Sequence, residues 1–192
     1  MLETGVATWD QNLFLILERS GFPEETYHTF SYSPLRNDSG AISGMLCVVA
    51  EETERVLGER RLATLRQLAT ALSATKTEDD VGEAVARSLG GHGRDLPFTL
   101  VYLYEPDEAS ARLAGAAGFA EGHPAAPGRI ELADAHATWP AAEFRRTRAT
   151  ILVDDLTALG PLPCGPGQEP PRRALLCPIG QPGQDTVSGF MV

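Results

Sequence analysis

The sequence contains no apolar run long enough to cross a bilayer. Its longest nearly uncharged stretches are Met45–Ala50 and Phe98–Tyr104, against the roughly 20 residues that a spanning helix needs. Residues Met1–Asp10 carry Glu3 and Asp10 and lack a basic segment followed by an apolar one. They do not read as a secretory leader, and the cytoplasm is the expected compartment. Basic residues are scarce: 16 Lys and Arg against 26 Asp and Glu give a net charge of −10. An acidic surface repels phosphate backbones and anionic headgroups, so neither nucleic acid nor a membrane surface is an expected partner. Cysteine is scarce as well. Cys47, Cys164 and Cys177 are odd in number and form no CxxC pair, which argues against a disulfide framework and a zinc site.

Phosphate-binding and haem signatures are missing too. Gly90-Gly91-His92-Gly93 lacks the Gly-Lys-Ser/Thr ending whose lysine reaches a phosphate, and reads instead as a helix exit. The four histidines, His28, His92, His123 and His136, fall on a strand, between glycines, beside Pro124 and in an Ala-rich stretch. No catalytic residue, metal ligand or cofactor is assigned from these patterns.

What is present is an ordinary globular composition, 43% hydrophobic over 192 residues, enough for one or two packed units. Leu13–Leu17 is a short apolar run. Thr29–Leu35 and Ile42–Ala50 read as strands joined by Arg36-Asn37-Asp38-Ser39-Gly40, whose Asn and Gly tolerate left-handed backbone and so predict a hairpin. Met45-Leu46-Cys47-Val48-Val49 predicts a strand buried on both faces. Thr77-Glu78-Asp79-Asp80 predicts a helix start, with Thr77 as cap and acids facing the positive end of the dipole. That helix runs to Leu89, with Val81, Val85 and Leu89 as its apolar stripe. Phe98–Tyr104 and Ala111–Ala117 predict a second hairpin. Phe119–Arg129 reads as loop, Trp139–Arg146 as a short helix and Thr150–Val153 as a strand. After a Pro/Gly-rich loop at Leu156–Pro171, Arg173–Ile179 and Thr186–Val192 read as strands joined by Gly180–Asp185. Helices and antiparallel hairpins in this order predict an α+β fold.

Between the two hairpins, Glu51–Ala74 contains no proline, and Leu62, Leu65, Ala69 and Leu72 recur at spacings of three, four and three. That is an a/d pattern, and it predicts a helix whose stripe either seams a parallel homodimer or packs on its own domain. Alternation in Phe98–Tyr104 puts Phe98, Leu100, Tyr102 and Tyr104 on one face. With Trp139, Tyr102 and Tyr104 are candidates either for core or for the wall of a ligand pocket.

Gly21–Arg36, Gly44–Val49 and Glu51-Glu52-Thr53-Glu54-Arg55 resemble the C-terminal half of a PAS domain from bacterial sensor histidine kinases. The likeness covers the last two long strands and the acidic-x-Thr element that couples the sheet to an output helix. It implies signal-coupling roles for Glu51, Thr53 and Arg55, with Glu51 standing where the family usually has Asp. Residues from Lys76 to Val192 resemble a GAF domain in the order of their elements. The resemblance implies a partial PAS antiparallel sheet at 1–52, an amphipathic linker helix at 53–75, and a GAF-like antiparallel sheet with flanking helices at 76–192. The chain is expected to be truncated at both ends, with a kinase or other output domain in cis, and this segment itself is not expected to be an enzyme. Neither the family's cyclic-nucleotide constellation nor a Cys-His pair for a bilin is found, so the ligand is left open. Two other readings stand beside the sensor: a dimerisation spacer feeding a phosphatase or cyclase output, and a methionine sulfoxide reductase of GAF fold using Cys164 and Cys177.

Overall fold

A computed structural model describes residues 5–166, 169–180 and 186–192. The chain divides into two compact units, the first ending at Leu62 and the second beginning at Ala63. The fold is α+β, with antiparallel sheets and, among the described residues, three α-helices.

In the first unit, β1 (Thr8–Leu17), β2 (Glu24–Arg36) and β3 (Ile42–Glu51) form a three-stranded antiparallel sheet in the order β1-β2-β3. The hairpin between β2 and β3 turns where the sequence predicts. The Asn37 Oδ1 accepts the backbone N–H groups of Ser39 and Ala41 at 3.1 and 3.0 Å, and Gly40 sits at φ +81°. β1 was not evident over its first half, because Thr8-Trp9-Asp10-Gln11-Asn12 shows no apolar alternation. Pairing with β2 supplies the strand there, with an irregularity between Asp10 and Leu13 that places Asn12 at φ 53°. The expectation that Met45–Val49 is buried on both faces is corrected. Met45, Leu46, Val48 and Val49 are 48–57% exposed, because β3 is an edge strand and no described element of this unit is layered over it. A continuous apolar run is the usual mark of a doubly covered strand, and here it is not covered.

Helix α1 (Thr53–Ser73) leaves the end of β3 and continues into the second unit. There the chain forms α2 (Glu78–Gly90), β4 (Thr99–Tyr104), β5 (Ser110–Ala117), β6 (Arg129–Glu131), α3 (Ala141–Thr147), β7 (Ile151–Val153), a 3-10 turn, β8 (Ala174–Gly180) and β9 (Val187–Met191). The six strands form one antiparallel sheet in the order β6-β5-β4-β9-β8-β7. This is the helix, hairpin, helix and strand succession that the GAF resemblance implies. β6 is an addition, since a single buried residue, Ile130, in a three-residue strand leaves no pattern to read. The expected connection from Gly180 to Asp185 falls on residues 181–185, outside the described residues.

β4 is the spine of this unit. Leu100 and Tyr102 face a cluster with Trp139, Phe144, Leu176 and Phe190, while Val101 and Leu103 face Val85 and Leu89 of α2. The strand is therefore buried on both sides, which its unbroken Thr-Leu-Val-Tyr-Leu-Tyr run reflects. α2 is capped as expected: Thr77 Oγ1 accepts from the Asp80 N–H at 3.1 Å, and Asp80 Oδ2 accepts from the Thr77 and Lys76 N–H groups at 2.9 and 3.0 Å. The Lys76 and Thr77 bonds hold the Asp80 carboxyl below the usual aspartate range. At the exit of α2, His92 Nδ1 pairs with Thr64 Oγ1 at 3.0 Å and Nε2 with Gln67 Oε1 at 3.1 Å, so one ring grips two positions of α1.

α2 meets β5 backbone to backbone. A Cβ placed on Gly115 would lie 2.2 Å from the Gly82 carbonyl oxygen, and one on Gly82 would lie 2.3 Å from the Ala114 carbonyl oxygen. Neither obstacle is a movable side chain, so even one methyl group must push the helix off the sheet. Gly115→Ala is expected to lower the stability of the chain by about 1–3 kcal/mol, measured as a lower urea midpoint at unchanged slope. A midpoint equal to that of the unsubstituted chain would contradict this close approach.

Candidate functional site

The densest polar network of the first unit lies where β3 hands over to α1. β2 presents the backbone of Tyr27 at this point. Its carbonyl accepts the Glu52 N–H at 2.8 Å, and its N–H donates to Thr53 Oγ1 at 3.0 Å. Thr53 in turn donates its hydroxyl to Glu51 Oε1 at 2.9 Å. A threonine at the first helical position thus gives the helix its start and the neighbouring strand its missing acceptor.

Three guanidinium groups tie the surrounding segments to this handover. Arg19, just after β1, donates to both Glu51 oxygens at 2.9 and 3.2 Å and to Glu24 Oε2 at 3.1 Å. Arg55 donates to Glu52 at 2.7 Å, to Glu59 at 3.0 Å and to Asn12 Oδ1 at 2.7 Å, so a residue in the first turn of α1 reaches the irregular point of β1. Arg60 holds Glu25 through two bonds of 2.7 and 3.0 Å, and the Tyr27 hydroxyl donates to the same carboxylate at 2.7 Å. That last pair is the most shielded of the three, with side chains 20% and 13% exposed. The Arg19 bonds and then the Thr53 hydroxyl hold the Glu51 carboxyl below the usual glutamate range. Buried His28 stands across from Glu51 in the β2–β3 register, its Nε2 4.0 Å from Glu51 Oε2. Residues Glu51–Arg55 line an open polar groove of about 460 Å³.

Glu51, Thr53 and Arg55 are therefore brought into one network. The sequence did not reveal Arg19, Asn12, Glu25, Tyr27 or Arg60 as members. Their partners lie up to 43 residues away, and no local spacing marks such a pair. The longer Glu51 side chain, where the resembled family usually has Asp, reaches both Thr53 and Arg19.

The residues proposed for a ligand pocket lie elsewhere, in the second unit. Tyr102 and Trp139 are fully buried in one core. The Tyr102 hydroxyl donates to the Pro127 carbonyl and the Trp139 Nε1–H to the Ala125 carbonyl, each at 2.9 Å. Both pin the loop that follows β5. Tyr102 stacks on Phe190 with ring centroids 5.1 Å apart, and burial pushes its phenol up. Tyr104 is half-buried at the edge of that core, its phenol also raised by burial. Tyr102 and Trp139 are closed off from solvent there. A groove of about 540 Å³ does open among Leu96, Phe98, Leu152, Leu175, Cys177 and Met191.

The heptad residues separate. Leu62 and Leu65 are 47% and 62% exposed, and Ala69 is exposed too, whereas Leu72 packs with Leu68 against Val85, Leu89, Val101 and Leu103. Cys47 and Cys164 are exposed thiols and Cys177 is half-buried; none is in a disulfide. Among the described residues no group of three or more His, Cys, Asp or Glu side chains forms a metal site, and no helix is long and apolar enough to cross a membrane.

No protein family and no curated protein matches the sequence. Among solved structures, the chain is similar to the GAF domain of an Acinetobacter phosphoenolpyruvate-protein phosphotransferase, with 14% identity over 69% of this chain and 75% of that one, at a TM-score of 0.47. It is also similar to the chromophore-binding domain of Stigmatella aurantiaca phytochrome P1, with 13% identity over 94% of this chain and 64% of that one, at a TM-score of 0.44. Against the longer photosensory core module of a Stigmatella aurantiaca phytochrome, identity is 11%, and this chain spans 39% of its length at a TM-score of 0.45.

Replacing Thr53 by the isosteric valine removes the acceptor of the Tyr27 N–H. Thr53→Val is expected to cost about 1–3 kcal/mol and to speed hydrogen exchange at the Tyr27 amide; an unchanged exchange rate there would sink the assignment. Because the folded-state values of Glu51 and Asp80 lie below their ordinary ones, their contribution is fully present above the ordinary carboxylate range. It is lost as pH falls through the folded values. Acid unfolding followed by circular dichroism is expected to become shallower in Glu51→Gln.

Proposed function

We propose that the chain is a sensory input and relay region of a bacterial signal-transduction protein. In this reading the first unit is the C-terminal half of a PAS domain, α1 is the signalling helix and the second unit is a GAF domain. The output in cis is a histidine kinase, and the setting is the cytoplasm. The observation that carries the reading is the handover at Tyr27. One residue of β2 is bonded through both its N–H and its carbonyl to the segment that starts α1, so a shift of β2 against β3 cannot leave the first turn of the helix unchanged. A coupling element needs such a shared bond, since a site biases a distant equilibrium only through contacts that differ between the states.

The filled core around Tyr102 and Trp139 favours a GAF unit that works by contact with other protein surfaces rather than by enclosing a small molecule. The same observation supports the second reading, a spacer feeding a phosphatase or cyclase output.

The test is made in the full-length protein. Basal transfer of phosphate from ATP is expected to change roughly fivefold or more in Thr53→Val, with secondary structure retained. Wild-type transfer in a folded variant would remove the handover from the mechanism, and a full-length protein without ATP-dependent transfer would remove the kinase output.

A further inference from the structure

One buried titratable side chain of the first unit takes no part in the handover. His28 is 9% exposed, and its Nδ1 has no hydrogen-bond partner among the described residues. Its Nε2 stands 4.0 Å from Glu51 Oε2, just beyond hydrogen-bond reach. The charged and titratable groups around the ring decide which of them answers a charge on it. On β2, Phe30 lies beside the ring at 5.9 Å, and Glu24 follows four residues away on the same face. From β1, Leu13 is paired with His28 and Asp10 with Phe30. β3 supplies Glu51, and the chain just after β1 supplies Arg19, which donates to both Glu51 and Glu24. From α1, Arg55 is committed to Glu52, Glu59 and Asn12. Among the described residues, Glu51 is the carboxylate within ion-pair distance of the ring.

Of these side-chain types, only an imidazole ordinarily changes charge between about pH 5 and 8. Glu51 and Glu24 stay ionised through that range. The Arg19 bonds hold the first below the usual glutamate range, and a bond from Ser20 does the same for the second. A neutral ring leaves Glu51 on Thr53 and Arg19. A protonated ring carries a charge that burial penalises unless it is paired, and closing to a charge-assisted bond of about 2.8 Å draws the Glu51 carboxylate in by about 1 Å. Arg19, a like charge to that ring, is 47% exposed and can give ground toward solvent. Thr53 cannot follow, because the Tyr27 N–H holds its Oγ1. The bond that gives way is therefore the one from the Thr53 hydroxyl to Glu51. We propose that His28 is a proton-responsive element of the handover: on protonation it draws Glu51 away from Thr53 and so alters the first turn of α1. The inference deepens the relay reading and rests on it for its consequence.

The experiment uses the intact chain and follows, by nuclear magnetic resonance from about pH 8 to about pH 5, the His28 ring and the backbone amides of Tyr27 and Thr53. The two amide shifts are expected to move with the same midpoint as the ring. His28→Gln is expected to flatten them, and Glu51→Gln to flatten them while the ring still titrates. A ring that stays neutral down to about pH 5, amides that hold still while it titrates, midpoints that differ, or a response that persists in His28→Gln would each overturn the proposal. The comparison within the unsubstituted chain decides even where a variant does not fold. These readouts lie in the first unit and need no output activity, whereas the relay reading falls on unchanged phosphate transfer in Thr53→Val, so each can fail alone.

Discussion

Everything in the first unit that could act at a distance depends on how the backbone N–H and carbonyl of Tyr27 are satisfied. An interior strand of an antiparallel sheet gives its backbone groups to two neighbours, and β2 does so along most of its length. At Tyr27 the neighbour changes from strand to helix start, and the bonds change from Glu51-side ladder to Glu52 N–H and Thr53 hydroxyl. A buried amide left without an acceptor is costly, so the helix start is held to the sheet by a requirement of β2, not only by its own propensity. The guanidinium groups then fix the side chains around that point. Exposed pairs such as Arg19–Glu51 contribute little alone, whereas the better shielded Arg60–Glu25 pair lies between the strand and the second turn of the helix.

The elements whose logic is local were legible. Thr77 and Asp80 satisfy each other three residues apart, and the Asn37–Gly40 turn is bonded within five residues. β4 was legible as a strand with Leu100 and Tyr102 on one face, though the burial of its other face against α2 was not read from its unbroken apolar run. A similar run at Met45–Val49 was read as buried on both faces and is exposed, since hydrophobicity records what a strand needs to cover and not whether a cover is present. The strand at Thr8–Asn12 and the short β6 were invisible for a related reason: cross-strand pairing creates them, and pairing partners leave no trace in local pattern. Of the handover, Glu51, Thr53 and Arg55 could be named from resemblance, but Arg19 and Arg60 owe their roles to contacts that only the folded sheet creates. Leu72 shows the limit of heptad reading. It repeats with Leu65, yet the 20° drift of a straight helix per heptad and the position of α2 turn it inward.

The core of the second unit is closed by Tyr102 and Trp139, whose polar ends both find acceptors. Tyr102 and Trp139 each spend their single donor on a carbonyl of the loop after β5. His123 takes part in the same closure, accepting from the Ala125 N–H and pairing its Nε2 with the Pro161 carbonyl at 3.0 Å. Two long loops, rich in Gly, Pro and Ala, are thereby tied to the core and to each other. These aromatic side chains thus order loops as well as filling the core on that side of the sheet.

The grip of His92 on α1 fixes how that helix is rotated. Thr64 and Gln67 are three residues apart and so share one side of the helix, and a single imidazole bonds both. Turning the helix by one residue, about 100°, would swing both partners out of reach together. Within the second unit, then, torque on α1 meets an all-or-none catch: small rotations are resisted as strain in one rigid ring, and larger ones must release both bonds at once.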